Sequence, residues 1–524
     1  MQSLIAVANG GFLGRGAGLG SPGLVPIAHS DFIFAAITEE TGLGGAVALS
    51  CAIALMASRG LLASMRAKDR FQRYLAAGLT AYLALQSLVI MGGSLRLLPL
   101  TGVTLPFLSY GGSSLLTSLA AVVLLLIIGE NQEQVPPALE SPRAYTVLGG
   151  AISAGLVAAA LATGWWAVAR GPSLLARTDN ARRSIADRYV RRGALLDRSD
   201  TVINASVGSL GSYERVYRHP DLSPVVGFTH PGFGQSGLES SLDQFLRGLR
   251  GHPASVLWWN QLLYGTPPPG IDVRLSLDLK LQRLADKMLG QRPGAVVLLG
   301  ARSGEMLVMA SHPTFDASAL DEQGLGLTHD PAAPLLNRAT QGAYRAGEVL
   351  SPLLRAAGVR PDDPSGAMSA VETLGLLTAP SLRAPVAAPR GVTSLEDLRV
   401  SPLQVALAAA ALSNEGTIPP PRIALAARTE QQGWLVLPAL GEPAQVLPAA
   451  AAAEEAAAGM VPGKPFWQHL TTAGQPAEPI TWFVAGTSPD WQGTPLVCVV
   501  VLEEDNRHLA VAIGQGLIEA ALGL

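Results

Sequence analysis

The sequence contains few charged residues for its length. Of its 524 residues, 15% are charged, whereas an average soluble domain carries about 25%. So low a charge content excludes a disordered chain or a coiled coil, and it argues against an ordinary cytosolic enzyme. The net charge is −3, so we expect no nucleic-acid partner.

Cysteine and lysine are scarcer still. The two cysteines, Cys51 and Cys498, lie far apart in unlike surroundings, which excludes a disulfide framework and leaves no zinc-type Cys/His spacing. The four lysines of the chain are Lys68, Lys280, Lys287 and Lys464. A catalytic site that needs a lysine close to a serine therefore has only these four lysines to draw on.

Four long apolar runs predict membrane spans. They cover Phe32–Met56, Leu75–Gly92, Leu115–Gly129 and Tyr145–Ala169. Each is close to the roughly 20 residues that a spanning helix needs. Trp165, near the end of the fourth run, suits the aromatic belt at a membrane surface.

The loops between these runs differ in basic charge. The second loop contains only Arg96. The first loop contains five basic residues, namely Arg59, Arg66, Lys68, Arg70 and Arg73. Because cytoplasmic loops carry the excess of Lys and Arg, we expect the first loop inside and the second outside. Alternation then puts residues 1–31 outside, the linker 136–143 in the cytoplasm, the anchor 144–170 in the membrane and the rest outside.

Beyond Arg170 the composition becomes that of a soluble domain. Strand patterns cover Ile271–Leu277, Gly294–Leu299, Glu305–Ser311, Thr481–Ala485 and Leu496–Leu502, and helical patterns cover Asp278–Leu289, Pro402–Ser413 and Ala449–Met460. This mixture predicts an α+β domain over 271–524, preceded by a pedestal-like juxtamembrane segment over 171–270. The predicted fold class is a multi-domain membrane protein with an α-helical bundle of four spans and an extracytoplasmic α+β domain.

Motifs in the first segment follow a distinctive order. They are Gly14-Arg15-Gly16, Pro26–Phe34 (PIAHSDFIF), Glu39-Glu40-Thr41-Gly42, Leu98–Gly102 (LPLTG) and Leu105–Ser114 (LPFLSYGGSS). In these motifs residues 1–135 resemble the SEDS family of FtsW/RodA/SpoVE-type membrane proteins. That family normally has ten spans. The resemblance therefore implies an outer loop and three spans, with Met1 inside a domain whose front part is missing.

Motifs after the fourth span resemble a second family. They are Arg192–Arg198 (RGALLDR), Arg215-Val216-Tyr217, Gly234–Glu239 (GQSGLE), Ser303–Pro313 (SGEMLVMASHP) and Asn337-Arg338-Ala339. Their order resembles that of class B penicillin-binding proteins, whose single membrane anchor the fourth span would supply. The whole chain thus resembles a SEDS polymerase fused to a penicillin-binding partner.

The residues of a transpeptidase site are replaced. Such sites use a serine activated by a lysine one helical turn away, a Ser-x-Asn and a Lys-Thr-Gly. By the resemblance, Glu348 stands at the nucleophile position, Ser351 at the lysine position, and Thr471 and Thr472 in the Lys-Thr-Gly zone. We predict a domain that neither cross-links nor reacts with β-lactams. The alternative, Ser351 as a displaced nucleophile, has no base within reach in the sequence.

The SEDS resemblance implies a catalytic carboxylate at Asp31. SEDS proteins polymerise lipid II into glycan strands. Asp31 would act as the general base on the acceptor sugar's 4-hydroxyl while undecaprenyl diphosphate leaves. From the residues alone, Ser30-Asp31 is more simply an N-cap of the first helix, and the two roles are compatible.

Seven further residues are candidates for substrate binding. They are His29, Arg15, Glu39, Glu40, Arg96, Ser109 and Gly111. His29 is equally a solvated loop residue, and Arg96 equally a flank reaching for the membrane surface. Placing the charged side chains of Glu39 and Glu40 inside a span costs free energy, which suggests that they line a cavity or pack against another element. The alternative is that they are exposed at the membrane interface. No cofactor is implied with certainty, and a divalent cation is allowed.

These observations predict a plasma-membrane protein of bacterial peptidoglycan synthesis and of cell shape or division. It would polymerise glycan strands and carry a regulatory, inactive penicillin-binding domain. Its partners would be lipid II, the membrane and other division or elongation proteins. Two alternatives stay open: a non-catalytic scaffold of that machinery, and a transporter of lipid-linked precursors.

Overall fold

The computed structural model describes most of the chain. The described residues are 1–18, 20–130, 142–175, 190–230, 232–253, 269–360, 363–429, 431–475 and 478–524. They form two compact units: unit 1 holds the described residues up to 175, and unit 2 holds those from 190 onward. The predicted linker 136–143 lies outside the described residues, apart from its last two positions.

Unit 1 is helical. Its helices are α1 (Gln2–Gly10), α2 (Ile33–Arg66), α3 (Arg70–Ser94), α4 (Gly112–Glu130), α5 (Pro142–Gly164) and α6 (Gly171–Leu175), and a π-helical turn over Trp165–Ala169 continues α5. Helices α2, α3, α4 and α5 with its π turn are long and apolar enough to cross a membrane. Each contains one predicted span, so these predictions are confirmed.

Helix α1 lies within the predicted outer loop, residues 1–31, and was not itself predicted from the sequence. Leu4, Ile5 and Val7 are at most 2% exposed. Val7 packs into the cluster formed with α2, and Leu4 packs against Leu174 of α6. A nine-residue apolar run is too short to predict a span, and its burial depends on helices distant in sequence.

The helices of unit 1 approach closely where their residues are small. A Cβ atom on Gly60 of α2 would lie 2.1 Å from Thr80 Oγ1 of α3. Such close approach lets helices gain van der Waals contact where water does not drive association. Phe34, Ile53 and Met91 fill the space between α2, α3 and α5.

Unit 2 is α+β. Its strands are β1 (Leu195–Leu196), β2 (Val202–Val207), β3 (Glu214–Tyr217), β4 (Thr229–His230), β5 (Gly234–Gln235), β6 (Val273–Leu275), β7 (Gly294–Gly300), β8 (Met306–His312), β9 (Tyr344–Arg345), β10 (Arg399–Val400), β11 (Thr417–Ile418), β12 (Ala424–Thr429), β13 (Gly433–Val436), β14 (Ala444–Gln445), β15 (Phe466–Gln475), β16 (Glu478–Thr487) and β17 (Leu496–Leu502). Its helices are α7 (Ser223–Val226), α8 (Gly237–Ser241), α9 (Asp243–Leu246), α10 (Leu279–Leu289), α11 (Leu320–His329), α12 (Arg338–Gln341), α13 (Ser351–Ala356), α14 (Pro364–Thr373), α15 (Pro402–Ser413), α16 (Ala449–Ala458) and α17 (Arg507–Leu522).

The core of unit 2 surrounds an antiparallel five-stranded sheet. Its strand order is β15-β16-β17-β7-β8, and β17 pairs with β7 through Val499 and Val297. Helices α10 and α17 cover one face, and α15, buried along its whole length, covers the other. Strands covered on both faces are apolar throughout, which is why β7, β8 and β17 are readable from the sequence.

A second sheet of six strands has the order β13-β12-β6-β1-β2-β3. Within it, β1 and β6 run parallel, pairing Leu195 with Val273. Strand β6 is shorter than predicted, and Asp278 after it caps α10 by accepting from the Lys280 and Leu281 amides. This sheet places the Arg192–Arg198 motif beside the rest of the pedestal-like segment.

Candidate functional site

Asp31 lies two residues before α2 begins at Ile33, and it is half-buried. Its Oδ1 atom accepts a hydrogen bond from the Ser30 hydroxyl at 2.9 Å, and its carbonyl accepts one from Ser94 Oγ of α3 at 3.4 Å. The N-cap of α2 is Phe32, and among the described residues no side chain caps this helix. The Asp31 carboxylate is therefore not used as a helix cap, contrary to the simpler interpretation of the sequence.

The segment before α4 is bound to the backbone around Asp31. The Tyr110 amide donates to the His29 carbonyl at 2.8 Å, and Ser109 Oγ donates to the Ser30 carbonyl at 2.9 Å. The rings of His29 and Tyr110 meet edge to face, with their centres 5.8 Å apart. The structure thus brings His29, Asp31 and Ser109 together, with Gly111 directly following.

Arg15, Glu39 and Glu40 belong to a second group, between α1 and α2. Glu39 is fully buried, and its Oε1 accepts from Asn9 Nδ2 at 2.8 Å. Arg15 Nε donates to Asn9 Oδ1 at 3.0 Å, and the Arg15 amide donates to the Glu39 carbonyl at 3.0 Å. Glu40 accepts from the Gly16 amide through its carbonyl at 2.9 Å. These contacts give the three residues a packing role at the start of α2.

Glycines allow this close approach. Helix α2 is kinked at Gly42, where φ is +69°, and a Cβ there would lie 2.3 Å from the Gly14 amide nitrogen. A Cβ on Gly14, where φ is +83°, would lie 2.1 Å from the Glu40 carbonyl oxygen. Both conformations and both contacts require glycine.

Arg96 is exposed in the turn after α3, with φ at +57°. Within the described part of the chain, its guanidinium forms no hydrogen bond or ion pair. It follows Ser94 by two residues, so it lies at the same end of the bundle as Asp31.

A cavity of about 240 Å³ lies between α2 and α5. Its walls are mostly apolar and include Ala57, Leu61, Gly149 and Ile152. The site residues expected from the sequence are not among its lining residues. It lies along α2, more than five helical turns from Asp31.

In unit 2, the four positions that the family resemblance assigns to the transpeptidase motifs lie on adjoining elements. Glu348 is in a 3₁₀ turn over Gly347–Leu350, and Ser351 begins α13 directly after it. His469 Nε2 of β15 donates to the Glu348 carbonyl at 3.0 Å, and a Cβ on Gly347 would lie 2.8 Å from Ala473 Cβ. Strand β15 also carries the other two positions, Thr471, which is buried, and Thr472, which donates to Asp505 Oδ1 at 3.5 Å.

A lysine beside a serine is missing from this arrangement. Lys464 pairs with Glu519 at 2.7 Å, and Lys280 and Lys287 lie on α10. Within the described residues, which include all four lysines, none hydrogen-bonds to a serine. No described hydrogen bond therefore joins Ser351 to a lysine amine.

His469 is a member of this group that no sequence motif indicates. Burial lowers its pKa below the ordinary value, and the charge of Arg355 lowers it further. The hydrogen bond to Glu348 and the carboxylates of Glu348 and Glu455 act in the opposite direction, but burial outweighs them. A neutral imidazole therefore faces the Glu348 turn.

The pedestal-like segment contains a buried ion network. Arg192 donates to Glu239 Oε2 at 3.0 Å and to Asp243 Oδ1 at 2.6 Å. Arg215 Nε donates to Glu239 Oε1 at 2.7 Å, and the Asn204 amide donates to the same oxygen. Burial would raise the pKa of Asp243, but the neighbouring arginines, Arg192 above all, bring it below the ordinary value. The motif residues here hold the fold, because a buried carboxylate needs such partners.

Comparison with known proteins agrees with both groups of motifs. Residues 1–134 match the model of the FtsW/RodA/SpoVE cell cycle protein family, and residues 192–273 match that of the penicillin binding protein A dimerisation domain. The chain thus joins a segment that matches the FtsW/RodA/SpoVE model to one that matches a penicillin-binding-protein model. The predicted fusion is thereby confirmed.

The FtsW/RodA/SpoVE segment has curated relatives with enzyme names. Peptidoglycan glycosyltransferase RodA of Mycobacterium tuberculosis strain H37Rv is 46% identical over 125 residues, which are 24% of this chain and 27% of the relative. Probable peptidoglycan glycosyltransferase FtsW of Geobacter metallireducens is 40% identical over 138 residues, 26% of this chain and 37% of the relative. The chain thus spans about a third or less of these relatives.

Solved structures match unit 2 in fold. Penicillin-binding protein A from M. tuberculosis, in an imipenem acyl-enzyme complex, aligns over 64% of this chain and 100% of its own, with a TM-score of 0.56 and 20% identity. The D,D-transpeptidase domain of a peptidoglycan glycosyltransferase from Eggerthella lenta gives a TM-score of 0.53, 20% identity, and 64% and 99% coverage. At this identity the likeness establishes the fold, and the α+β prediction is confirmed.

Proposed function

We propose that this protein takes part in peptidoglycan synthesis at the membrane, with unit 1 contributing to glycan-strand polymerisation from lipid II. The supporting observation is the cluster around Asp31, where segments 29–31, 94 and 105–111 are joined by hydrogen bonds. The names of the RodA and FtsW relatives support the same reaction class.

Asp31 is the general base of this proposal. Its carboxylate takes the proton of the acceptor 4-hydroxyl, the oxygen bonds to the donor's anomeric carbon, and the bond from that carbon to the lipid diphosphate breaks. The unpaired guanidinium of Arg96 binds the departing diphosphate. A divalent cation would supply further positive charge at the diphosphate, although the described residues include no group of three His, Cys, Asp or Glu placed to hold one.

Unit 2 lies outside the membrane and regulates unit 1 without catalysing transpeptidation. The replacement of the nucleophile and lysine positions by Glu348 and Ser351 supports this role. Fusion keeps the two units at high effective concentration, so regulation needs no separate encounter. Other division or elongation proteins complete the assembly.

The test measures glycan-strand formation from lipid II by the full chain in membranes of cells that produce it, above the background of membranes that lack it. Asp31→Asn should lower this rate at least about 100-fold, the usual effect of losing a general base. Asp69→Asn is the matched control, because asparagine also caps α3 and only the charge is lost. Equal rates for Asp31→Asn and the unaltered chain would overturn the assignment and favour the scaffold alternative.

A further inference from the structure

Two arginines of unit 2 bind the chain directly after β13, and the charge of a third, Arg250, acts on one of them. Arg383 Nη1 donates to the Pro438 carbonyl at 2.7 Å, and Arg422 Nη2 donates to the Leu437 carbonyl at 3.2 Å. The two guanidinium groups therefore bind consecutive carbonyls. Arg250 comes from the turn after α9, where its guanidinium carbon lies 5.2 Å from the centre of the Phe245 ring.

Their positive charges are not compensated. Burial lowers the pKa of Arg383, and the charges of Arg250 and then Arg422 lower it further. Arg422 Nε is buried and has no hydrogen-bond partner in the described structure. None of the three arginines forms an ion pair with a described residue, and Glu305, next to Arg422 across a β-bridge, pairs with Arg198 at 3.8 Å instead. Converging cations of this kind are unfavourable until an anion joins them.

The backbone holds Arg422 in place before any ligand arrives. Its amide donates to the Gly304 carbonyl at 2.8 Å, and its carbonyl accepts from the Met306 amide at 3.0 Å. Ser276 Oγ donates to the same carbonyl at 3.0 Å. The side chain itself is held by the Nη2 hydrogen bond to the Leu437 carbonyl, and a side chain that is already held loses less freedom on binding, which favours affinity.

We propose that Arg250, Arg383 and Arg422 form a binding site for a phosphate or diphosphate group. The planar fork of a guanidinium matches two phosphate oxygens at once, and several such forks suit a multiply charged anion. The site lies beside the six-stranded sheet, whereas Glu348 lies against β15 of the other sheet. The proposal does not depend on the function proposed for unit 1.

The experiment titrates the full chain, in phosphatidylcholine nanodiscs, with sodium diphosphate and with inorganic phosphate, by calorimetry. Saturable binding is expected, and Arg383→Gln should weaken it at least tenfold, with Arg383→Lys intermediate. Arg302→Gln is the matched control, since Arg302 is exposed on the turn between β7 and β8 and its loss removes the same charge. The Arg302→Gln variant should bind diphosphate with the same affinity as the unaltered chain.

A second arm distinguishes the sources of the anion. With phosphatidylglycerol in the nanodiscs, a weaker apparent affinity for diphosphate would support a lipid headgroup in the site. An unchanged affinity would support a free phosphate compound. The proposal is overturned if neither anion binds saturably, or if Arg383→Gln and Arg302→Gln bind alike.

Discussion

His469 determines the environment of the Glu348 turn. Its Nε2 donates to the Glu348 carbonyl, so that nitrogen carries a proton, and burial favours the neutral form of the ring. Protonation of the other ring nitrogen would place a positive charge in a partly buried site near Arg355. The hydrogen bond to Glu348 favours the protonated ring, but burial and the charge of Arg355 outweigh it, so protonation is costly in the folded chain.

We predict that His469 makes stability depend on pH below about 6.5. Its pKa is lower in the folded than in the unfolded chain, so its contribution is complete above the unfolded pKa and is lost as pH falls through the folded pKa. The melting temperature of the full chain in detergent should fall between pH 7.5 and 5.5, and less steeply for His469→Gln. His329→Gln, on exposed α11, is the control. Parallel pH profiles for all three proteins would contradict the prediction.

At the scale of elements, the contact between α1 and α2 depends on Gly14. Gly14→Ala should destabilise unit 1 by roughly 2 kcal/mol or more, because alanine must adopt a left-handed conformation and its Cβ meets the Glu40 carbonyl. Gly18→Ala separates these causes, since φ there is +75° but no atom lies within 4 Å of the Cβ position. It should cost only about 1–2 kcal/mol. Thermal unfolding in detergent measures both, and equal losses would show that the close contact has no effect.

Elements that are buried along their whole length, and are therefore apolar throughout, are predictable from the sequence. Helix α15 has its predicted bounds, because Ser401 and Gln404 form a capping box and Pro402 occupies the first turn. Strand β15 was not predicted, because its second half is largely exposed and its residues alternate irregularly. Helix α1 was missed because it is short and is buried only by α2 and α6.

In the candidate site, too, the sequence predicts residues in continuous motifs but not residues that meet only in the folded chain. Asp31, His29 and Ser109 are indicated by motifs that are continuous in sequence. Ser94 and His469 are not, because their contacts with Asp31 and Glu348 cross 63 and 121 residues. The interpretation of Glu39 is sharpened by its partner Asn9, 30 residues away, which makes it a packing residue of the α1–α2 contact.

At the scale of the whole molecule, one chain combines a segment that matches the FtsW/RodA/SpoVE family with a domain that has a penicillin-binding-protein fold. Unit 1 retains the motifs around Asp31. Unit 2 has the fold of solved penicillin-binding proteins, and the family resemblance predicts that Glu348 and Ser351 stand where acyl transfer would use a serine and a lysine. Fusion would preserve a regulatory contact even after such a replacement, since the partner cannot diffuse away.

We therefore predict that the full chain is not labelled by fluorescent penicillin. Acylation needs a serine whose proton a nearby base accepts, and the described surroundings of Ser351 contain no lysine for this purpose. In gels of membranes that produce the chain, no covalent band should appear at its mass, and Ser351→Ala should look the same. A penicillin-binding protein with an intact Ser-x-x-Lys, added to the same membranes, shows that the reagent is active. A band that disappears with Ser351→Ala would establish Ser351 as a displaced nucleophile and contradict the inactive-domain proposal.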